Sequence, residues 1–236
     1  MDFLRRNGVF LGLCAVLIVA LSVALQCVPK AELHLMLCSP HTHTRDTLFR
    51  YYTQIGEWVP YLVCVGLLFY KAGAAVFTLA GTLLSGLATQ IIKHIVDAPR
   101  PLTYFAENYP DTSLPLVDGV EMSRFYSFPS GHTTTFFALF FALCIIGTNF
   151  LHLRLTDRSG KSKAKYYALT AIWQIVCFAL AALGGYSRIY LSQHFAADVL
   201  GGMCVGLLIT GLLYIVFHRW EYTNWCKWHF FQKKSL

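Results

Sequence analysis

Five stretches of the chain carry no Asp, Glu, Lys or Arg: Asn7 to Pro29, Ala72 to Ile92, Phe125 to Leu153, Tyr166 to Ser187 and Val199 to His218. Each matches or exceeds the roughly 20 residues that an α-helix needs to cross a bilayer core. In hydrocarbon every backbone N–H and C=O must be bonded within its own segment, so runs of this length predict helices. Composition agrees, since 56% of residues are hydrophobic and 13% charged, against roughly 25% charged in soluble domains. A sixth segment, Tyr51 to Tyr70, is uncharged apart from Glu57 and stands where a return crossing is needed. The predicted fold is an all-α membrane bundle of six transmembrane helices, a single domain over residues 1–236.

Arg5 and Arg6 precede the first run, as in a secretory signal, but no small-x-small cleavage site follows it. Leu25-Gln26-Cys27 also lacks the small residue that precedes a lipoprotein cysteine, so a retained first helix is expected. Six spans with an inside N-terminus place Arg5, Arg6, Lys71, Arg154, Arg158, Lys161, Lys163, Lys165, Arg219, Lys227, Lys233 and Lys234 inside. Lys30, Arg45, Arg50, Lys93, Arg100, Arg124 and Arg188 are left outside. The positive-inside rule favours this orientation, with both termini inside, over its inverse. The formal charge of +7 is then accounted for by inner loops facing an anionic leaflet, and no nucleic-acid partner is called for.

The eight cysteines show no CxxC spacing. Cys14, Cys64, Cys144, Cys177 and Cys204 fall within spans, where a free thiol packs as a small apolar group. Cys27 and Cys38 both lie toward the outer side, and whether they pair is left open. The outer segment Pro29 to Arg50 mixes apolar and charged residues in the manner of an interfacial helix, broken at Pro40. His41 and His43 have a metal-ligand spacing without a third ligand and are read as part of a polar loop. The tail interleaves Trp220, Tyr222, Trp225, Trp228 and Phe230 with Arg219, Lys227, Lys233 and Lys234, an interfacial aromatic and basic belt.

The longest outer connection, Asp97 to Phe128, holds Pro99, Pro101, Pro110 and Pro115, with Pro129 just beyond, and cannot be one helix. Polar clusters bracket it. Lys93 ends one span, and Arg100 follows seven residues later between prolines, so both cations can address one anion. Pro129-Ser130-Gly131-His132 opens the next span, where free N–H groups and the positive helix end form an anion cradle beside a hydroxyl and an imidazole. Ser187-Arg188 is followed by His194 and Asp198, which are four apart and share a face if the helix has begun. Ionisable residues at membrane depth are costly and point to function. Three such clusters on one side of the membrane are not explained as separate anchors and caps.

These three motifs, Lys-x6-Arg-Pro, Pro-Ser-Gly-His and Ser-Arg-x5-His-x3-Asp, resemble without substitution the signature of the type 2 phosphatidic acid phosphatase superfamily. The resemblance covers nearly the whole chain and implies six helices with the site at the outer surface. It implies that Lys93, Arg100 and Arg188 bind phosphate, with Ser130 and Gly131 completing the cradle. His194 is then the nucleophile that forms a phosphohistidine, Asp198 orients it, and His132 protonates the leaving oxygen. Three protein cations take the part of Mg2+, so no metal or other cofactor is implied. The implied partners are a phosphorylated lipid and the bilayer. The resemblance is strongest to small bacterial members acting on undecaprenyl pyrophosphate or lipid A phosphates, which implies an inner membrane with the site facing the periplasm. Phosphatidylglycerophosphate and phosphatidate are the further substrates, and a lipid phosphotransferase using the same intermediate is the rival activity. Glu57 lies outside the signature and is read first as a water-accessible residue near its helix end, with pairing to a site cation as the alternative. The loop bearing Glu107, Asp111, Asp118 and Glu121 against Arg124 is net acidic, and no motif accounts for it.

Overall fold

The computed structural model describes residues 2–155 and 163–218. Its helices are, in order, α1 (Asp2–Arg6), α2 (Gly8–Cys27), α3 (Lys30–Cys38), α4 (His43–Tyr52), α5 (Ile55–Leu68), α6 (Ala72–Val96), α7 (Pro101–Asn108), α8 (Gly131–Leu155), α9 (Lys163–Tyr190) and α10 (Ala196–His218). There is no strand among the described residues. The predicted aromatic tail, together with Arg158 and Lys161, lies outside them.

Helices α2, α8, α9 and α10, and α6 with its continuation through α7, are long and apolar enough to cross a membrane. The expected sixth span is shorter. It breaks at Thr53 and Gln54, because α9 holds the junction: Tyr52 Oη donates to Leu180 O at 2.8 Å, and Arg188 donates to Thr53 Oγ1. What remains is α5, an apolar helix of 14 residues, about 21 Å long against a hydrocarbon core of ~30 Å.

Helix α8 is the centre of the bundle and packs against α5, α6, α9 and α10. Its apolar residues cover every face instead of one stripe, as suits a helix with neighbours all round. Phe136, Phe137, Leu139, Phe141, Ala142 and Cys144 are all essentially inaccessible. By contrast α2 fully buries only Phe10 and Cys14, packs Leu11, Leu17, Ile18, Leu21 and Leu25 partly against the bundle, and exposes Val16, Val19 and Val23.

Helices α8 and α10 run parallel and touch backbone to backbone. A Cβ on Gly202 would stand 2.5 Å from Ser130 O, and one on Gly206 would stand 2.6 Å from Thr134 O. Small residues four apart allow this approach, the usual device where lipid supplies no hydrophobic drive between helices. The contact brings the N-terminal ends of α8 and α10 to the same end of the bundle.

The long connection between α6 and α8 contains α7 and is otherwise irregular. The run expected from Phe125 becomes helical only at Gly131, since Pro129 lacks an N–H and biases Phe128 away from helical geometry. Pro40 separates α3 from α4 as expected, but His43 already belongs to α4, whose N-cap Thr42 accepts from Arg45 N at 3.3 Å. His41 Nδ1 meets Asp46 Oδ1 at 2.8 Å, and Tyr190 Oη donates to the same oxygen at 2.6 Å. Cys27 and Cys38 are both free thiols.

Candidate active site

Helix α6 delivers Lys93 from a polar face. Thr78, Thr82, Ser85, Thr89 and Lys93 recur at spacings of three and four and are all buried. Thr89 Oγ1 donates to Thr134 Oγ1 of α8 at 3.0 Å, so the face that carries the lysine is fixed to the central helix. Asp97, at φ 39, ends α6 in the left-handed region and turns the chain out. The two ends of the long connection are then tied together: Ser127 N donates to Ala98 O at 2.9 Å, and Arg100 N to Arg124 O at 2.9 Å. Lys93 Nζ donates to Tyr126 O at 2.8 Å, and Arg100 Nε to Phe125 O at 3.0 Å. The segment before Pro129 thus holds both cations.

Ser130 caps α8. Its Oγ accepts from Thr133 Oγ1 at 2.9 Å and from Thr133 N at 3.4 Å, while its own N–H donates to Asp198 O at 2.9 Å. Ser130 is fully buried, and its polar groups serve helix capping and the α8–α10 junction.

His194 lies in the turn between α9 and α10, not on a helix, and Asp198 sits in the first turn of α10. The two still face each other, with Nδ1 and Oδ2 3.6 Å apart. That carboxylate oxygen accepts from Phe195 N at 2.8 Å and from Ser127 Oγ at 2.5 Å, and Ser127 Oγ is also 3.5 Å from His194 Nδ1. Burial pushes the His194 pKa down to about 3; Asp198 opposes this, while Arg188 and Arg100 add to it. The imidazole is neutral, with Nδ1 turned toward Asp198 and Ser127 and Nε2 left as the free lone pair.

Lys93, Arg100, Gly131, His132, Arg188 and His194 line one cavity of about 1100 Å³. Asp198 and Ser130 are not among its lining residues. Arg188 is anchored through Thr53, but its Nε has no protein partner despite being buried, a donor available to an anion. The cavity continues between α5 and α6, past Pro60, Leu83 and Leu87. Leu83 lies ten residues from Lys93, about 15 Å along a helix.

Several residues that build the site have no place in the sequence motifs. Gln193 Oε1 accepts from Arg100 at 3.0 Å, and its Nε2 donates to Glu121 O at 2.9 Å, tying the acidic loop over the cavity. Glu121 itself lines the rim. Glu57 is half exposed in the first turn of α5, as the water-accessible reading expects, and it also meets His132 Nε2 at 3.0 Å. Ser127 and Thr53 give no local signal beyond being polar residues next to the Pro-Ser-Gly-His motif and inside an apolar run.

The sequence profile of the PAP2 superfamily matches residues 74–222. The chain is 30% identical over 155 residues to a lipid A 4'-phosphatase of Porphyromonas gingivalis, an alignment covering 64% of this chain and 56% of that protein. It is 32% identical over 153 residues to phosphatidylglycerophosphatase B of Bacillus subtilis, covering 63% and 61%. A lipid phosphate phosphatase 2 of Arabidopsis thaliana is 31% identical over 150 residues, covering 59% and 49%. The chain therefore spans about half the length of the curated relatives it matches. Among solved structures, that of Aquifex aeolicus LpxE superposes with a TM-score of 0.59 at 19% identity, covering 81% of this chain and 98% of that one. A transmembrane PAP2-type phosphatidylglycerolphosphate phosphatase from Bacillus subtilis superposes at 0.54 and 20% identity, covering 94% and 100%. At these identities the likeness is one of fold.

Proposed function

The chain belongs to the PAP2 superfamily, and from that premise we propose that it is a membrane lipid phosphatase working through a phosphohistidine at His194. The observation that carries this reading is the convergence of Lys93, Arg100, Arg188, His132 and a neutral His194 on one cavity that runs on between two apolar helices. A soluble phosphate ester has no use for the extension past Leu83 and Leu87. A lipid whose phosphate sits among the cations fits it.

The chemistry follows from the geometry. Phosphoryl transfer asks for positive charge around the equatorial oxygens and for positioned donors; the three cations and the Gly131 end of α8 supply both. Nε2 of His194 adds its lone pair to phosphorus while the ester or anhydride P–O bond breaks. The leaving oxygen takes that bond's electron pair and a proton from His132. Asp198, backed by Ser127, steadies the imidazolium that forms at His194. In the second half, water gives a proton to His132 and attacks phosphorus, and the P–N pair returns to His194. Ser130 contributes by holding the ends of α8 and α10 in register.

Lipid A phosphate or undecaprenyl pyrophosphate is the proposed substrate, at the periplasmic face of a bacterial inner membrane, with six crossings completed by α5 and its flanks. The lipid A 4'-phosphatase relative supports the former. The test is a panel of purified lipid phosphates, including phosphatidylglycerophosphate and phosphatidate, incubated with the protein in detergent. Free phosphate released with no acceptor present supports hydrolysis; no free phosphate, with the phosphoryl group appearing on an added lipid alcohol, identifies a phosphotransferase.

A further inference from the structure

We propose that Glu57 is a positioning residue for His132: it orients the imidazole and keeps it protonated as the acid that serves the leaving oxygen. The inference rests on the reading of His132 given above. It starts from a contact of 3.0 Å between Glu57 Oε1 and His132 Nε2, made across two helices by residues 75 apart in the chain. The approach is built in. A Cβ on Gly56 would fall 2.8 Å from Phe136 Cε2 and 3.4 Å from His132 Cδ2, so glycine at this position lets α5 close on α8 and brings the next residue within reach of the ring.

The electrostatics give the contact a purpose. His132 shares its cavity with Lys93 of α6, Arg100 of the long connection, Arg188 of α9 and His194, and more distantly with Arg50 of α4 and Tyr61 of α5; Glu121 on the rim is the other carboxylate. It also sits at the positive end of α8. Cations arranged to hold phosphate disfavour a further positive charge, yet a general acid must carry its proton when the substrate arrives. A carboxylate one hydrogen bond away offsets part of that charge. The contact occupies Nε2, which leaves Nδ1 as the nitrogen that exchanges the proton.

The experiment compares two phosphate esters on the purified full-length protein: dioctanoyl phosphatidate, whose alkoxide needs a proton, and 4-nitrophenyl phosphate, whose leaving group does not. Glu57→Gln is expected to lower kcat on phosphatidate about 10-fold with little change in KM, and to move the basic limb of the rate profile down by roughly one pH unit, the low end for loss of a neighbouring opposite charge. On the nitrophenyl ester it should stay within about twofold of wild type, since general-acid assistance is then unneeded. Glu57→Asp, which keeps the charge, should return the limb toward wild type. In a His132→Ala background Glu57→Gln should cost nothing more. Equal losses on both esters with an unmoved limb, or a further loss in the His132→Ala background, would overturn the proposal. A wild type silent on phosphatidate is assayed instead on the lipid phosphate it turns over; the underlying reading fails separately, in proteins where Glu57 is intact: wild type releasing phosphate from no lipid phosphate, or His132→Ala slowing both ester types alike, would remove His132 as the acid and this role of Glu57 with it.

Discussion

Ser127 Oγ donates to Asp198 Oδ2 at 2.5 Å, on the same carboxylate oxygen that faces His194 Nδ1 at 3.6 Å. A serine from the loop before α8 thereby sets the carboxylate that faces His194, the proposed nucleophile. Removing it leaves a buried charge short of a donor and free to turn. A hydrogen bond to a charged group contributes about 1.5–3 kcal/mol, so Ser127→Ala is expected to lower kcat about 10- to 100-fold while KM holds, because the phosphate-binding cations are untouched. Steady-state kinetics on any turned-over lipid phosphate check this.

The proposed mechanism divides the labour between the two histidines. His194→Ala abolishes turnover on every ester, whereas His132→Ala slows alkyl esters by roughly 100-fold or more and spares part of the reaction with a good leaving group. Equal loss on both ester types in His132→Ala contradicts this division.

The fold and the reacting groups were legible in sequence to different depths. Uncharged runs of bilayer length predicted α2, α6, α8, α9 and α10, because hydrocarbon permits little else. The run containing Glu57 was legible as apolar but not as broken, since the break at Thr53 is drawn out by Arg188, 135 residues away. Lys93, Arg100, His132, Arg188 and His194 stood out because charge is rare at such depths, and the structure gathers them. Ser130 stood out equally and turns inward to cap α8. Ser127, Thr53 and Gln193 were not legible: each is an ordinary polar residue until the fold places it behind a charged one. His194 and Asp198 meet without the helical register that the four-residue spacing suggested.

Burial also predicts a pH dependence of stability. His194 and His34 are both buried, and burial holds their pKa values at about 3 and about 4, below the ordinary ~6.5 for histidine. The unfolded chain therefore takes up these protons first as pH falls. The stability they contribute is full above pH ~6.5 and is lost as pH drops through that window toward the folded values. Melting temperature in detergent should fall between pH 6.5 and 4.5, and His34→Leu should lessen that fall. An unchanged pH dependence in the variant contradicts the assignment.

Topology and chemistry were argued from different residues and must agree. In a cysteine-free background, Ser113→Cys on the long connection reacts with an impermeant thiol reagent in spheroplasts, and Lys163→Cys at the start of α9 reacts only after lysis. The opposite pattern places the cavity toward the cytoplasm and excludes an outer-leaflet substrate.

The most direct measurement is covalent. Purified protein is mixed with a turned-over lipid phosphate in excess EDTA, quenched at alkaline pH where phosphohistidine survives, and digested for mass spectrometry. The account predicts undiminished phosphate release and a phosphoryl group on the peptide bearing His194, absent from His194→Ala. Turnover restored only by a divalent ion, or continuing in His194→Ala with no phosphorylated peptide, would contradict it.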